Sequence, residues 1–300
     1  MAALRLGVGQ YSHRGQRRAN NEDWLGKFQP EDSERLARKG SLFLVADGMG
    51  GHQSGELASR LAVDQVIRHY VDAPGADVGR SLRRAVEAAN AALYAQSERG
   101  SGDRAGRDWG TTVVAAVVRG AELWVANVGD SRAYLLRGGK LRQLTADHVL
   151  SPGGGVGLHV ITRALGRKSK VEVDLFPPLK LRTGDRILLC SDGLTTPLSD
   201  RRIQALAGRY SPQEAAEALV QAANEQGGPD NVSVILVEVG GAEDAMSPVA
   251  LRALPGALEG LAQLLPAKVR ESPAWVLALI LLLAVLMIVG LGFVLGLVLL

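Results

Sequence analysis

The sequence predicts an α+β domain built on antiparallel sheet. Its strand-like runs are short, apolar and β-branched, and several are separated by very tight turns, such as residues 119–121 and 138–139. Parallel neighbours need a crossover of a dozen or more residues, so runs this close must pair antiparallel. The helix-like segments fall into an early and a late group. A doubly wound parallel sheet is therefore not expected.

The individual elements follow from hydrophobic periodicity. Strands are predicted from β-branched apolar runs at residues 42–46, 111–118, 122–128, 132–137, 140–144, 186–190 and 232–239. Helices are predicted where apolar residues recur on one face, at residues 55–71, 81–97, 200–206 and 211–225. The last helix opens with Ser211 as N-cap, Pro212 at the first helical position and Glu214 completing a capping box.

Composition excludes some classes of function. The chain has 300 residues, 47% of them hydrophobic and 22% charged, which is enough for one large domain or two small ones with a core. Its formal charge of +3 is spread among acidic residues, so nucleic-acid binding is not predicted. The single cysteine, Cys190, ends a strand with no phosphate-binding arginine loop after it, which indicates a buried core thiol and not a nucleophile.

The C-terminal part of the chain differs from the rest in composition. We predict a folded domain over residues 1–240, a linker or juxtamembrane segment rich in Gly and Pro over 241–273, and a transmembrane helix over 274–300. Residues 274–300 carry no charge; a buried core helix is the alternative. Lys268 and Arg270 precede the span and no basic residue follows it, so the folded domain is expected in the cytoplasm of a single-pass cell-membrane protein.

Four aspartates carry the chemistry that the sequence suggests. Asp47, Asp130, Asp192 and Asp230 each follow or precede an apolar run and lie beside Gly or Asn. One such aspartate is usually a turn residue. Four that converge at strand ends repel one another unless cations lie between them, and an all-oxygen donor set favours Mg²⁺ or Mn²⁺ over zinc. Two ions about 3.5–4 Å apart would bind a bridging water and aim it at phosphorus.

An N-terminal segment adds a cation and an acid. Arg18 can form a forked pair with a phosphate dianion, and Glu22 can hold a metal-bound water. The alternative for this segment, taken alone, is a solvated charged loop.

Six motifs, in order, resemble the protein phosphatase 2C family, and in particular its bacterial branch. They are Arg18 with Asn21-Glu22-Asp23, residues 47–52 (DGMGGH), 110–112 (GTT), 129–132 (GDSR), 191–193 (SDG) and 228–231 (GPDN). The resemblance covers about residues 8–239. It implies a four-layer α-β-β-α sandwich of two antiparallel sheets flanked by helices.

The resemblance also implies roles for the site residues. Asp47 would bridge two metal ions, and the Gly48 carbonyl would ligate one of them. Asp192 and Asp230 would hold the other ion, and Glu22 would act through water.

Two further residues receive roles from the resemblance. Asp130, together with Asp192, would form a third and weaker metal site. Arg18 would bind the substrate phosphate, and with Asp47 it is the residue assigned to catalysis. The cofactors implied are two Mn²⁺ or Mg²⁺ ions, with a third at the extra site.

The function implied is hydrolysis of phosphoserine and phosphothreonine on proteins by a metal-bridged hydroxide attacking in line, without a covalent intermediate. The enzyme would oppose a serine/threonine kinase at the membrane, and its partners would be phosphorylated proteins. One alternative is a membrane-tethered binding or scaffold protein on an inactive phosphatase fold. Another is a phosphatase acting on small phosphoesters or on an anti-sigma pathway protein.

The chain departs from the family pattern in two places. Met49 stands where eukaryotic members carry a histidine proposed as general acid, and a thioether cannot donate a proton. Metal-bound water, or else His52, is then expected to protonate the leaving group. Residues 149–159 form a short Gly-rich stretch where bacterial relatives carry a longer flap with a helix, so substrate selection and the third metal site are expected to differ.

Overall fold

The computed structural model describes residues 4–50, 53–100, 109–150 and 160–240. The chain divides into two units, Met1–Glu243 and Asp244–Leu300, and every described residue belongs to the first. The predicted linker and transmembrane helix therefore lie outside the described residues, and the domain boundaries stay a prediction. Among the helices that are described, none is both long enough and apolar enough to span a membrane.

Strands make up most of the described fold. In chain order they are β1 (Arg5–His13), β2 (Asp23–Phe28), β3 (Ser41–Met49), β4 (Gly110–Thr111), β5 (Val113–Arg119), β6 (Glu122–Val128), β7 (Arg132–Arg137), β8 (Lys140–Gln143), β9 (Val149–Leu150), β10 (Val160–Ile161), β11 (Asp174–Lys180), β12 (Arg186–Cys190) and β13 (Val232–Gly240).

Helices precede and follow the central strands. They are α1 (Ser33–Lys39), α2 (Gln53–Asp72), α3 (Val78–Gly100), α4 (Asp192–Thr195), α5 (Asp200–Arg209) and α6 (Pro212–Glu225). The predicted capping box at the start of α6 is present, with Ser211 and Glu214 bonding reciprocally.

The strands form two main antiparallel sheets. One has the order β1-β13-β12-β7-β8 and the other β11-β6-β5-β3-β2, with β4 added beside β3 and β9 paired with β10. Gly138 and Gly139, both at positive φ, form the two-residue turn between β7 and β8 that such a hairpin requires. The α+β class with antiparallel sheets, predicted from tight turns, is confirmed.

Three hydrophobic clusters define four layers. Val45 from one sheet and Ile187 from the other belong to the cluster between the sheets. Leu44 lies in a cluster with residues of α2 and α3, on the outer face of its sheet. Leu188 lies in a cluster with residues of α5 and α6, on the outer face of the other. Successive residues of β3 and β12 thus face opposite layers, both apolar, which explains their continuous apolar runs.

The sequence missed elements whose pattern is weak. The strands β1, β2 and β11 were not predicted, because β1 and β2 mix glycine and polar residues with apolar ones and β11 contains two prolines, which a strand tolerates mainly at an edge. The predicted strand 111–118 is interrupted after Thr111. Cys190 is fully buried, which confirms its prediction as a packed core thiol, and burial raises the pKa of that thiol to about 12.

Candidate metal centre

The predicted carboxylates lie at one end of the sandwich, where the inner faces of the two sheets stop. Side chains alternate along β3, so Asp47 follows Val45 on the face that looks toward the other sheet. Asp23 of β2 lies directly opposite Asp47 in the strand register. From the other sheet, Asp192 begins α4 just after β12, and Asp230 lies just before β13. The site is therefore built from both sheets.

Serine hydroxyls join the two sheets at this end. Ser191 Oγ donates to Asp23 Oδ2 at 2.7 Å, and the backbone N–H of Ser233 donates to Ser191 Oγ at 3.0 Å. Asp23 therefore bonds to the ends of β12 and β13, although it belongs to the other sheet. These bonds hold the two halves of the site at a fixed separation.

Two threonines fix the backbone of Asp47. The Asp47 N–H donates to Thr112 Oγ1 at 3.1 Å, and the Asp47 carbonyl accepts from the Thr112 N–H at 2.9 Å and from Thr111 Oγ1 at 2.8 Å. Thr112 Oγ1 also shares a hydrogen bond of 2.7 Å with Ser131 Oγ, beside Asp130. The break in the strand at Thr112 thus serves to orient Asp47 and to connect it with the Asp130 turn.

Gly48 allows the chain to approach the start of α2 closely. A Cβ at Gly48 would lie 2.1 Å from the Gly55 carbonyl oxygen and 2.6 Å from the Glu22 carbonyl oxygen. The Gly48 N–H donates to that Glu22 carbonyl at 3.1 Å. The Glu22 carboxylate itself packs against Gly55, where a Cβ would lie 2.1 Å from Glu22 Oε2. Two glycines are required for Glu22 to lie beside Asp47.

Asp192 is positioned by a similarly close contact. Gly193, its neighbour, packs so tightly on β13 that a Cβ would lie 1.8 Å from the Asn231 carbonyl oxygen. Asp192 Oδ1 is buried and forms no hydrogen bond within the described residues. An orphaned anionic oxygen of this kind is costly unless a cation compensates it.

Asp230 lies at the rim, paired with Arg18. Arg18 Nη2 contacts Asp230 Oδ2 at 2.6 Å, and their side chains are 51% and 32% exposed. The neighbouring Asn231 is buried, and its side chain donates to the carbonyls of Arg14 and Asn20 and accepts from the Glu22 N–H at 2.7 Å. This one amide therefore anchors the loop that carries both Arg18 and Glu22 to the start of β13.

Asp130 is buried in a turn that requires glycine. Gly129 has φ 113°, and a Cβ there would lie 2.5 Å from Thr112 Cβ. The Gly129 N–H donates to His148 Nδ1 at 3.0 Å, and its carbonyl accepts from the His148 N–H at 3.0 Å. The turn is therefore held on one side by Thr112 and on the other by His148.

His148 extends this contact to the segment after the flap. Its Nε2 lies 3.1 Å from Asp174 Oδ2, and Arg163 Nη1 lies 2.7 Å from Asp174 Oδ1. The His148 carbonyl accepts from the Thr162 N–H at 2.8 Å. The segment that ends at residue 150 and the segment that resumes at residue 160 are thus tied together by hydrogen bonds.

Burial and neighbouring charge raise the pKa values of three carboxylates in this cluster. Burial, followed by the charges of Asp23, Asp192, Asp230 and Asp130, raises the pKa of Asp47 well above its usual value. Burial, and then Asp130 and Asp230, raise the pKa of Asp192 to about 6, against a hydrogen bond with Asp47 that lowers it. Burial also raises the pKa of Asp23 to about 7, although hydrogen bonds from two serines oppose it. Five carboxylates from two sheets therefore lie within electrostatic reach of one another.

The donor set fits hard divalent cations. All candidate donors are carboxylate or carbonyl oxygens, as Mg²⁺ and Mn²⁺ prefer, and buried oxygens of Asp23 and Asp192 have no hydrogen-bond partner within the described residues. In the described part of the chain, no three His, Cys, Asp or Glu side chains close on one point as direct ligands of a single ion. A two-ion site spreads its side chains over both ions and completes each shell with carbonyl oxygen and water.

The structure places every predicted site residue that it describes at this end of the sandwich. Sequence reasoning gave Asp23 no role, although it stands in the quoted Asn21-Glu22-Asp23 motif, because the strand that turns it toward Asp47 was not predicted. It also gave no role to Asn231, which anchors the loop of Arg18, or to His148, which holds the turn of Asp130, because only the fold brings these residues to the site. His52 and residues 151–159, on which two expectations depended, lie outside the described residues.

The raised pKa values predict how pH and metal affect stability. Asp23 and Asp192 titrate near 7 and 6 when folded, against about 4 when unfolded, so the folded state binds more protons between pH 4 and 7. Metal-free protein should lose stability as pH rises through this window. Mn²⁺ should raise the melting temperature by several degrees at pH 7.5 and by much less at pH 5, where protons compete with the ion.

Thermal unfolding of the full-length protein, with EDTA or with Mn²⁺ at both pH values, measures this. Asp64→Asn, on the exposed surface of α2, is the control variant and should behave as the unchanged protein does. An equal Mn²⁺ effect at pH 5 and pH 7.5 would contradict the assignment of these carboxylates to the metal centre.

Comparison with known sequences agrees with this geometry. The family model for protein phosphatase 2C matches residues 11–233. A serine/threonine phosphatase stp of Listeria welshimeri is 37% identical over 245 residues, covering 75% of this chain and 92% of the relative. The serine/threonine protein phosphatase PstP of Mycobacterium tuberculosis is 37% identical over 239 residues, covering 76% of this chain and 44% of that relative.

Solved structures give the same result. The crystal structure of the Mycobacterium tuberculosis serine/threonine phosphatase PstP/Ppp superposes with a TM-score of 0.68 at 36% identity, covering 79% of this chain and all of that one. The catalytic domain of PstP in complex with two manganese ions gives a TM-score of 0.66 at 36% identity, covering 80% of this chain and all of that one. The resemblance noted in the sequence is confirmed, and the chain belongs to the protein phosphatase 2C family.

Proposed function

We propose that this chain removes phosphate from phosphoserine and phosphothreonine residues of proteins, using divalent metal ions. It is a protein serine/threonine phosphatase, and so a phosphoric monoester hydrolase, of bacterial type. The observation that carries the proposal is the convergence of five carboxylates from both sheets beside an exposed arginine. This constellation combines sites for cations with a site for a phosphate dianion.

By the family resemblance, the carboxylates would divide between two ions. Asp47, whose pKa is raised by the charges of Asp23, Asp192, Asp230 and Asp130, would be a ligand of both ions, and the Gly48 carbonyl would be a ligand of one. Asp192 and Asp230 would hold the other ion, and Glu22, packed on Gly55, would act through water. The orphaned Oδ1 of Asp192 and the raised pKa of Asp47 support the presence of cations in this cluster.

Asp130 would form a third site together with Asp192. The proximity of the two carboxylates supports this site, because the charge of Asp130 is the largest contribution after burial to the raised pKa of Asp192. The two principal ions would be manganese, which the PstP relative holds as two ions, or magnesium. When bound, such ions would polarise the phosphoryl oxygen and lower the pKa of water, so that hydroxide is available as a nucleophile at neutral pH.

Arg18 receives the substrate phosphate. Its guanidinium lies at the open rim of the centre and, in the absence of substrate, pairs with Asp230. A phosphate dianion would offer it a stronger, forked partner, and Asp230 would then be available as a ligand for a cation. The residue thus orients the phosphate next to the carboxylate cluster and neutralises part of its charge.

The chain's own residues also restrict how the leaving group is protonated. Met49, two residues beyond Asp47 and facing Gly110 in the register, has a thioether in place of an ionisable group. This side chain supplies no proton to a serine or threonine alkoxide.

One prediction of this proposal concerns the dependence of activity on metal and on Asp192. Full-length protein should dephosphorylate a phosphothreonine peptide with Mn²⁺, lose turnover in EDTA and regain it when Mn²⁺ is restored. Asp192→Asn should lower kcat/KM by about 100-fold or more, because it removes a charged ligand of the cluster. Phosphate release measures both effects, with exposed Asp64→Asn as the matched control. Turnover in EDTA, or full activity of Asp192→Asn, would refute the proposed mechanism.

A second prediction isolates Arg18. Arg18→Ala should raise KM about tenfold or more for a phosphopeptide and for p-nitrophenyl phosphate alike, because both present the same dianion. Arg17→Ala, at the exposed neighbouring position, should leave both KM values unchanged. Initial rates against substrate concentration give the comparison. If Arg18→Ala affects only the peptide, then Arg18 binds a part of the peptide other than its phosphate.

The same proposal includes a membrane anchor for which the support is sequence alone. Residues 274–300 are uncharged and follow Lys268 and Arg270, a pattern that favours a single span with the phosphatase domain on the cytoplasmic side. There the enzyme would act on the substrates of a serine/threonine kinase.

Fractionation and protease protection test the anchor. Full-length protein should sediment with membranes and resist extraction by high salt, whereas a chain ending at residue 273 should not sediment. Protease added outside intact cells should leave the phosphatase domain uncut. Recovery of the full chain in the soluble fraction would contradict the proposed anchor. Cleavage of the phosphatase domain by protease added outside the cells would contradict its proposed cytoplasmic orientation.

A further inference from the structure

The segment that leaves the flap carries an unusual concentration of positive charge. Between residues 163 and 172 lie four basic residues, Arg163, Arg167, Lys168 and Lys170, and a single acid, Glu172. These ten residues hold as much net positive charge as the whole chain, whose formal charge is +3. The formal charges of the remaining residues sum to zero, so this segment accounts for the net positive charge of the chain.

A buried asparagine holds this segment rigid. Asn90 of α3 is 1% exposed, and its Nδ2 donates to the carbonyls of Lys168 and Ser169 at 3.0 and 3.3 Å. Its Oδ1 accepts from the Gly166 N–H at 2.9 Å. One amide side chain thus fixes the backbone of the turn at three points, so the turn presents its charges without a large ordering cost on binding.

The turn lies next to the metal centre. Leu165 exchanges two backbone hydrogen bonds with Thr111, of 3.2 and 2.8 Å, and Thr111 in turn faces Gly48. A Cβ at Gly110 would lie 3.2 Å from Arg167 Cγ, and Gly110 pairs with Met49, two residues beyond Asp47. Arg167 and Asp47 are therefore separated by on the order of 10–15 Å. An extended peptide covers that distance in about four residues.

The basic side chains surround a concave space. Arg163, Arg167, Lys168 and Lys170 line a cavity of about 490 Å³ together with Glu172. Arg163 is held in place by Asp174 at 2.7 Å and by Glu172 at 3.3 Å. The other three basic residues are exposed. A concave basic pocket suits a carboxylate side chain on a peptide better than it suits the flat surface of a bilayer.

We propose that the basic turn, defined as Arg167, Lys168 and Lys170, binds an acidic side chain of the substrate protein about four residues from the phosphorylated residue. This inference rests on the proposed phosphatase function and names a substrate class for it. The catalytic centre recognises the phosphate, and the basic turn selects phosphoproteins with acidic flanking sequence. The turn contributes to KM and not to the chemical step.

The expected effect is moderate. Exposed charge pairs are individually weak and screened by salt, so three of them should change KM by about three- to tenfold at low ionic strength. Because the turn touches no reacting atom, kcat and the hydrolysis of p-nitrophenyl phosphate should not change.

The test compares three phosphothreonine peptides that differ only at the positions four residues before and after the phosphothreonine, which are both Glu, both Ala or both Lys. Full-length protein in lipid-free detergent micelles with Mn²⁺ should show the lowest KM for the Glu peptide. The combined variant Arg167→Gln, Lys168→Gln, Lys170→Gln should show one common KM for all three. The control variant Arg201→Gln, Arg202→Gln, Arg209→Gln removes equal charge from the exposed face of α5 and should keep the preference.

A measurement on the unchanged protein avoids any effect of substitution on folding. As NaCl rises from 50 to 500 mM, the KM for the Glu peptide should approach the KM for the Ala peptide, so that the preference disappears. Over the same range, the ratio of the turnover of p-nitrophenyl phosphate to that of the Ala peptide should stay constant. A KM that is the same for all peptides at low salt, or a preference that survives in the basic-turn variant, overturns the inference. If the basic-turn variant differs from the unchanged protein only when anionic vesicles are present, the turn binds a lipid surface, and this result also overturns the inference. Absence of turnover with every peptide would instead refute the proposed function.

Discussion

The repulsion among carboxylates at the open end of the sandwich is the constraint on which the rest of the site depends. Asp23 and Asp47 come from one sheet, and Asp192 and Asp230 come from the ends of strands in the other. Burial and neighbouring carboxylates raise the pKa values of Asp23, Asp47 and Asp192, so the cluster is unfavourable as free anions. A fold that keeps such a cluster must neutralise it, and bound cations do so while remaining available to a phosphate.

The surrounding structure resists this repulsion through hydrogen bonds and close backbone contacts. Ser191 and Ser233 join the sheets at Asp23, the two threonines fix the backbone of Asp47, and Asn231 anchors the loop of Arg18. Glycines beside Asp47 and Asp192 let the elements approach closely enough for the carboxylates to converge. Rigidity of this kind holds the ligands in place before the metal arrives.

The sequence was informative where a pattern is local. Strong apolar runs predicted the central strands, and tight turns predicted the antiparallel class. The capping-box residues predicted where the helix over residues 211–225 begins. The site was predictable because ordered Asp-Gly and Asp-Asn motifs carry a specific resemblance. Asp23, Asn231 and His148 act through contacts between residues far apart in the chain, and no local pattern encodes which strand faces which. The position of the basic turn near the site likewise depends on a contact between distant residues, the bridge between Leu165 and Thr111.

The central claim is that the converging carboxylates form a two-metal centre. Anomalous diffraction from crystals of the Mn²⁺-loaded protein tests it most directly. The account predicts two manganese peaks, with Asp47 contacting both, the Gly48 carbonyl contacting one and Asp192 with Asp230 contacting the other. Manganese located away from these residues, or a cluster that stays free of manganese at saturating concentration, would contradict it.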